Sequence, residues 1–298
     1  MRFDWYQTTI HDNPHHVIET LEKLGHEVRQ NDSAAKAYRY RQGWEVHHNA
    51  RGVVARIFAG GNGQHPHALA SSDETDAFVD VVRNEWPDDH LVTRMDAAQD
   101  FNEAGAYPRL RRVARRVAKE HRLGFHCVED RLDPTAGRTQ YIASPKSEYR
   151  ARLYEKGYEQ VAKISAMFKG SFKPDASNFE FVQNTVTGEY ISPADWVRLE
   201  LQARPKGEEA RRRAAIATPE EAWTFTDWSQ HLAREAMQLD LERFYMRSRK
   251  ISKDEEALRW MCKQYGALLL RLRGDVGDWA CTGLEIGRII DEQNSTTA

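Results

Sequence analysis

The chain has 298 residues, of which 40% are hydrophobic and 30% are charged, and its formal net charge is −2. This composition is that of a soluble globular protein with enough residues for one large or two modest domains. The near-neutral charge excludes binding to nucleic acid through bulk positive charge, so any such binding must come from local patches.

The three cysteines lie far apart in the sequence, which excludes a disulfide framework and zinc-type ligand spacing and predicts a reducing compartment. No apolar run approaches the length of a membrane span, and the first residues lack the apolar core of a secretory signal. We therefore expect a cytoplasmic protein with no membrane partner.

Strands and helices alternate in the predicted N-terminal half. Asn13 and Pro14 form a helix start, a capping asparagine followed by proline at the first helical position, and Gly25 ends that helix. Ser72 and Asp73 cap a second helix. Strands are predicted from the aromatic and β-branched residues over 3–10, 37–46, 53–58 and 91–101.

The second half starts with a strongly basic helix over residues 107–121 and ends in helices. Strands are predicted over 125–128, 139–143, 149–159 and 196–203, with an irregular stretch over 168–195. From residue 205 onward the pattern is helical, with helix starts at Thr218 and Ser252.

These elements predict an α+β fold, in which a largely antiparallel sheet with one open, active-site face is packed with helices and followed by a helical C-terminal region. We expect one α+β domain over 1–204 and a helical region over 205–298.

One predicted strand, over 149–159, places a tyrosine among cations. Residues two apart share a strand face, so Arg150, Arg152, Tyr154 and Lys156 line one side. Such cations would hold a phosphodiester and lower the pKa of the phenol, which makes it a better nucleophile. The alternative interpretation is a half-buried strand with a solvated basic face.

Two further strands share this design of one apolar and one charged face. The strand that contains Asp96 and the strand that contains Glu200 each alternate in this way. If the three strands are neighbours, and if the chain bends at Gly157 so that Glu159 turns back, three carboxylates converge beside Tyr154. Such an oxygen site suits Mg²⁺ or Mn²⁺. The alternative is three amphipathic strands with surface ion pairs, each of which contributes little.

Three segments, in order, resemble the replication initiation factor family, the rolling-circle initiators of plasmids, integrative elements and filamentous phages. The first, 94–100, matches an Arg-x-Asp-x-Ala-x-Asp pattern. The second runs from Thr139 to Ser147 and continues over 152–159, and the third covers 197–201. The second departs from the family pattern at Ala143 and Pro145, where Gly and Arg are usual.

The resemblance implies that Tyr154 cuts one DNA strand and becomes linked to the 5′-phosphate, while Lys156 contacts the DNA phosphate. It also implies that Asp96, Glu159 and Glu200 hold Mg²⁺ or Mn²⁺. The partners would be origin DNA, single-stranded, cruciform or duplex, and the helicase and polymerase of a bacterial host, in whose cytoplasm the protein would act. A homodimer is one arrangement that fits. Residues 1–204 would be the catalytic domain, and the helical region over 205–298 would serve DNA recognition, dimerisation or partner docking. Phosphate contacts are predicted for a set of arginines: Arg94, Arg112, Arg116, Arg150, Arg152 and Arg198.

Several other residues compete for these roles. Tyr141, Tyr149 and Tyr158 are rival nucleophiles, although packing is the simpler function for each of them. The basic helix that carries Arg112 and Arg116 is either a DNA contact or a solvated face. His65 and His67 flank a proline in a glycine-rich loop, a context that does not favour a metal site.

Three functions remain open at this point. The leading hypothesis is a metal-dependent, site-specific DNA nickase and strand transferase that starts rolling-circle replication. The second is a non-catalytic, sequence-specific DNA-binding regulator built on the same scaffold. The third is another phosphotyrosine DNA strand transferase, for which the carboxylate-rich pattern is a poorer match.

Overall fold

The computed structural model describes residues 1–61, 63–130, 132–168, 179–185, 187–246 and 253–296. The chain divides into two compact units, Met1–Arg247 and Ser248–Ala298. None of the helices in these described ranges has the length and apolarity that crossing a membrane requires.

The first unit is built on a ten-stranded sheet in which every neighbouring pair is antiparallel. The order of its strands is β2-β3-β4-β5-β1-β6-β12-β9-β8-β7, and β10 and β11 pair separately. The strand bounds are β1 Arg2–Ile10, β2 Glu27–Gln30, β3 Gln42–His48, β4 Gly52–Ala59, β5 His67–Ser71, β6 His90–Asn102, β7 Phe125–Val128, β8 Thr139–Ile142, β9 Tyr149–Glu155, β10 Val182–Gln183, β11 Tyr190–Ile191 and β12 Trp196–Ala203.

Eight α-helices of the described residues accompany this sheet, and two short 3₁₀ turns lie at Ser72–Glu74 and Pro134–Ala136. The helix bounds are α1 Pro14–Glu22, α2 Asp32–Ala37, α3 Thr75–Glu85, α4 Ala106–Glu120, α5 Lys156–Met167, α6 Glu208–Ile216, α7 Pro219–Ala222 and α8 Asp227–Met237.

One face of the sheet packs on the main hydrophobic core. Helices α1, α3, α4 and α8 contribute Leu21, Phe78, Leu110 and Leu232 to it, all of them buried. Alternate residues of the central strands, such as Leu199, point into the same core, because successive side chains of a strand face opposite sides. The predicted α+β fold with an antiparallel sheet is confirmed.

Among the described residues, helices cover the opposite face at its two ends. At one end α2 and the turn after it lie over β4 and β5, where Tyr40 packs with Phe58 and Leu69. At the other end α5 lies over β12, where Val161 packs with Trp196. Between these helices β1, β6, β12 and β9 carry polar and charged side chains, and we call this area the charged floor.

The predicted neighbourhood of three strands is confirmed, because β6, β12 and β9 lie side by side. Two predicted elements have the wrong bounds. The strand expected over 37–46 begins only at Gln42, as β3, because the preceding helix α2 runs to Ala37. Asn31 caps that helix by accepting a hydrogen bond from the backbone N–H of Ala34. Strands β2 and β5 were not predicted.

The second error concerns the strand expected over 149–159, which ends at Glu155 and passes directly into α5. Gly157 is therefore in the first turn of a helix and not at a strand bend. A Cβ atom at this position would lie 2.3 Å from the carbonyl oxygen of Pro193, so glycine is needed for this close approach.

The second unit consists of α9 Lys253–Val276 and α10 Trp279–Thr296. The predicted helical C-terminal region is thus helical, but α6 and α8 belong to the first unit, where Ala214 and Leu232 are part of its core. The predicted start of the last helix at Ser252 lies outside the described residues. The functional division at residue 204 stays a prediction.

Candidate active site

The register of β12 brings the predicted site residues together. On its two sides, Arg198 is opposite Asp100 and Tyr154, and Glu200 is opposite Ala98 and Arg152. Gln202 is opposite Asp96 and Arg150. The even spacing along each strand keeps these polar side chains on the charged floor, while Leu199 and Leu201 face the core.

Tyr154, Glu200 and Arg152 form the centre of this arrangement. The Tyr154 hydroxyl donates a hydrogen bond to Glu200 Oε2 at 3.4 Å. Arg152 donates to both oxygens of the same carboxylate, from Nε at 2.7 Å and from Nη2 at 2.8 Å. Its guanidinium also lies 4.9 Å from the centre of the Tyr154 ring. One arginine therefore holds both the carboxylate and the phenol ring in place.

Burial sets the acidity of this centre. Glu200 is fully buried, and burial together with the nearby charge of Asp96 raises its pKa to about 7, against the opposing effect of Arg152. Burial, and then the Glu200 carboxylate, raise the pKa of the Tyr154 phenol well above its usual value. Arg198 and Arg152 act in the predicted direction and lower this pKa, but the predicted net direction is wrong, because Tyr154 is only 5% exposed and shares its surroundings with a carboxylate.

Arg198 is a buried ion-pair centre next to Tyr154. Its Nε and Nη2 donate to the two oxygens of Asp100 at 2.6 and 2.8 Å, and Nη1 donates to Asp4 at 2.6 Å. A register shift in β1 between Phe3 and Trp5 lets Asp4 reach this face. The Arg198 side chain is fully buried and pairs with both Asp4 and Asp100. Arg198 is therefore placed to hold the strands of the charged floor in position and not to contact DNA directly.

Asp96 has its own set of hydrogen bonds on β6. Arg94 donates to it from Nε at 2.9 Å and from Nη2, and Gln202 donates at 3.3 Å. The Arg94 guanidinium stacks on the Trp5 ring, 4.3 Å from its centre. Asp96 and Glu200 thus lie on adjacent strands, but each is held by a different arginine.

Glu159 lies apart from these two carboxylates, in the first turn of α5. Lys156 Nζ contacts both of its oxygens at 3.1 Å, and Lys163 contacts it at 2.9 Å. The side chain of Lys156 is nearly buried, and burial, followed by the charge of Arg198, lowers its pKa. Its Nζ lies 5.7 Å from the centre of the Tyr154 ring.

The predicted metal ligands therefore do not fit a single ion site as they lie. Among the described residues no group of three or more His, Cys, Asp or Glu side chains is arranged to hold a metal ion. Asp96 and Glu200 are already engaged by arginines, and Glu159 lies in the first turn of a helix because the strand ends at Glu155. Dependence on Mg²⁺ or Mn²⁺ stays a prediction.

The remaining predicted DNA contacts lie in two places. Arg150 is on the charged floor, where its guanidinium stacks 4.4 Å from the centre of the Tyr141 ring. Arg112 and Arg116 are on α4, which packs on the core side of the sheet, and Arg116 pairs with Glu235 of α8. The structure does not bring α4 to the floor that carries Tyr154.

The rival tyrosines have other surroundings. Tyr149 packs against Phe225 of the core, and Tyr141 lies beneath Arg150. Tyr158 is on α5, where burial raises the pKa of its phenol. Tyr154 differs from them in its surroundings, since its hydroxyl donates to Glu200 beneath the Arg152 guanidinium.

Sequence reasoning missed Asp4, because strict alternation along β1 gives no sign of the register shift that turns it toward Arg198. It also missed the role of Arg198 as a bridge between two carboxylates. The Asp100 partner was visible as the last residue of the Arg-x-Asp-x-Ala-x-Asp pattern, but its contact becomes evident only from the pairing of β6 with β12.

No model of a known protein family matches the chain, and no curated protein matches it. Among solved structures the chain is similar to one titled "Structure of Rolling Circle Replication Initiator Protein from Geobacillus stearothermophilus". The two are 18% identical, 85% of this chain and 89% of the other are covered, and the TM-score is 0.48. A likeness at this level does not assign a function.

Proposed function

We propose that the protein is a DNA nickase and strand transferase that starts rolling-circle replication through a 5′-phosphotyrosine intermediate at Tyr154. The single observation that carries this proposal is the hydrogen bond from the Tyr154 hydroxyl to Glu200, beneath the guanidinium of Arg152. It combines a nucleophile, a base and a cation in one place. The resemblance of three segments to the replication initiation factor family supports the same chemistry.

Glu200 is the general base in this proposal. A base is most effective when its pKa is near the working pH, and burial raises that of Glu200 to about 7. The phenol has a raised pKa and is a poor nucleophile unless its proton leaves as it attacks, so a carboxylate already in hydrogen-bond contact meets that need.

Arg152 is the group that the DNA phosphate would recruit. Arg152 donates two hydrogen bonds to the Glu200 carboxylate, and arginine binds phosphate with the same bidentate geometry. When a phosphodiester takes over this guanidinium, Glu200 loses a charge partner and becomes a stronger base. The arrival of substrate then activates the nucleophile, and the resting site stays inert.

The chemical step is one displacement at phosphorus. The Tyr154 oxygen forms a bond to phosphorus, the bond from phosphorus to the 3′ oxygen breaks, and the phenol proton passes to Glu200. Lys156, whose Nζ lies 5.7 Å from the centre of the Tyr154 ring, donates a proton to the leaving 3′ oxygen. The products are a 5′-phosphotyrosine and a 3′-hydroxyl that a host polymerase can extend, with unwinding left to a host helicase.

The non-catalytic DNA-binding regulator is the second candidate, and one observation favours it. Tyr154 is nearly buried and both neighbouring carboxylates are already paired with arginines, as in a purely structural network. The two candidates differ in whether a covalent adduct forms.

The test incubates the full chain with a pool of end-labelled single-stranded DNA, with Mg²⁺ or Mn²⁺ and in parallel with a chelator. We expect a covalent protein–DNA adduct that is absent in Tyr154→Phe and retained in Tyr141→Phe, the matched control on β8. DNA binding without an adduct, in Mg²⁺ and in Mn²⁺ alike, would overturn the nickase proposal in favour of the regulator. An adduct that persists in Tyr154→Phe would place the nucleophile elsewhere.

A further inference from the structure

A polar cavity of about 330 Å³ lies on the charged floor, on the side of Trp5 away from Tyr154. Rings of Tyr38, Tyr40 and His67 form part of its wall. Its other lining groups are neutral amide and hydroxyl side chains and one cation: Gln7, Thr9, Thr93 and Arg211. Its volume is near the lower end of the range of small-molecule sites, about 300–1,000 Å³.

The wall of this cavity is fixed by its own hydrogen bonds. Trp5 Nε1 donates to Gln7 Oε1 at 3.2 Å, so the amide nitrogen of Gln7 must be the group that donates to His67 Nε2 at 2.7 Å. His67 then carries its proton on Nδ1, which donates to Thr9 Oγ1 at 3.3 Å. Burial lowers the pKa of His67 to about 4, in agreement with a neutral ring. The lining is therefore preorganised.

The aromatic rings of the wall are arranged as nearly parallel plates. Tyr40 and His67 have ring planes 14° apart with centres 5.7 Å apart, and Tyr38 stacks on Phe58 at 4.7 Å and 22°. Flat rings beside amide and hydroxyl groups offer what a nucleobase needs, a surface for stacking and partners for its polar edge. Arg211 adds a positive charge for the adjoining phosphate.

The cavity is joined to the candidate active site through side chains in contact. Gln7 bonds to Trp5, the Trp5 ring carries the Arg94 guanidinium, and Arg94 holds Asp96. Across the sheet, Tyr154 of β9 is at the level of Asp100 of β6, and Gln7 of β1 is opposite Arg94 of β6. Tyr154 and Gln7 are therefore three strand spacings apart across the sheet and six residues apart along it, or about 25 Å. A few nucleotides of single-stranded DNA cover this distance.

We propose that this cavity binds one unpaired nucleobase of the DNA strand whose backbone crosses the charged floor at Tyr154. This inference rests on the proposed function and adds to it a site that selects the position of the cut by holding one base at a fixed distance from it. The occupant is a base and not a longer segment, since the cavity is small and its lining is mainly neutral and polar.

The test uses the full chain as Tyr154→Phe, which cannot cleave, and the tightest single-stranded ligand selected from a random pool. Each nucleotide of that ligand is replaced in turn by an abasic unit, and affinity is measured by fluorescence anisotropy at one salt concentration. We expect one position, a few nucleotides from the site of adduct formation, where the loss of the base weakens binding about 5- to 150-fold, the factor that stacking of one base contributes.

Two variants show whether that position reports on the cavity. Thr93→Met fills it, Arg211→Gln removes its cation, and Arg212→Gln is the matched control, because Arg212 is adjacent on α6 but contacts Glu208 and the carbonyl of Asp88. We expect the abasic penalty to fall to within twofold in Thr93→Met, to shrink in Arg211→Gln, and to persist in Arg212→Gln. Melting temperatures verify that all three fold.

Other outcomes overturn either this proposal or the one on which it rests. An abasic penalty that is unchanged in Thr93→Met and Arg211→Gln shows that the base is bound elsewhere, and a scan without any sensitive position shows that no base is selected. Absence of single-strand binding removes the proposed function itself. Cross-linking of an iodinated pyrimidine at the sensitive position to Tyr38 or Tyr40 would confirm the cavity independently of activity.

Discussion

The two ends of the charged floor are built in opposite ways. Around Tyr154, charges are buried and paired with one another, as Glu200 is with Arg152 and Arg198 with Asp100. Around His67, the lining is mostly neutral and encloses a cavity. The end at Tyr154 is packed with charged side chains, whereas the end at His67 has a cavity with one cation, Arg211, in its lining.

This difference separates two kinds of work. An arginine that is paired with a buried carboxylate can leave it to bind a DNA phosphate. The exchange provides a cation for the phosphate and frees the carboxylate to act as a base. A preorganised neutral cavity instead discriminates by shape and hydrogen bonding. Changes at the first end should therefore alter the rate or the stability, and changes at the second end should alter the choice of DNA.

The largest effect on rate is expected at Glu200. In Glu200→Gln the base is lost, so nicking should slow by about 10²- to 10⁴-fold, while DNA affinity stays within a few-fold. Single-turnover rates and anisotropy measure the two quantities. Equal losses in rate and affinity would show that Glu200 serves binding and not proton transfer.

The pH dependence follows from the same residue. Since the ionised carboxylate is the base, the wild-type kcat/KM, which reports the free protein, should rise with pH up to about 7 and then level off, and this limb should be missing in Glu200→Gln. Stability should show the opposite sign. A carboxyl whose pKa is raised from 4.5 to about 7 on folding binds its proton more tightly in the folded state, so its contribution to stability falls as pH rises between these values.

The largest effect on stability is expected at Arg198. Arg198→Met leaves Asp4 and Asp100 without the cation that joins them, and breaking a buried pair in this way costs about 3–5 kcal/mol. Arg150→Met, on the same floor, removes the guanidinium that stacks on the Tyr141 ring and should cost about 1 kcal/mol or less. Urea denaturation measures both, and equal losses would contradict the positioning role of Arg198.

A smaller loss is expected when the phosphate ligand is changed. Arg152→Gln should slow nicking by about 10²-fold, because one preorganised donor to the phosphate is removed. Arg150→Gln is the control on the same strand face and should have little effect on the single-turnover rate. Equal losses of the nicking rate in Arg152→Gln and Arg150→Gln would contradict the proposal that Arg152 moves from Glu200 to the phosphate.

The smallest effect at the charged end is expected at Glu159. It lies in α5 with Lys156 and Lys163, so Glu159→Gln should leave the nicking rate within a few-fold of the wild type, unlike Glu200→Gln. The measurement is repeated over a range of Mn²⁺ concentration. A loss comparable with that of Glu200→Gln, together with a raised Mn²⁺ requirement, would restore Glu159 to the predicted set of metal ligands.

The central strands were predictable because their pattern is strict. Alternation in β6, β9 and β12 identified the polar face that carries Asp96, Tyr154 and Glu200, since the period of two fixes which side each residue faces. The helix start at Asn13 was equally clear, and its side chain accepts from the backbone N–H of His15.

What the sequence did not reveal depends on long-range contacts. Nothing local marks the end of β9 at Glu155, because Gly157 is required by the approach of Pro193, far along the chain. The acidity of Tyr154 was predicted in the wrong direction, since its cationic neighbours are visible in sequence while burial is not. The cavity was missed for the same reason, as its lining comes from five separate segments.

The most direct measurement is to identify the residue that carries DNA after the reaction. The adduct of the wild-type protein is digested with protease and nuclease, and the modified peptide is sequenced by mass spectrometry. The account predicts a nucleotide joined through its 5′-phosphate to Tyr154 and no adduct in Tyr154→Phe. A nucleotide on Tyr141, Tyr149 or Tyr158, or a cut strand without any covalent intermediate, would contradict it.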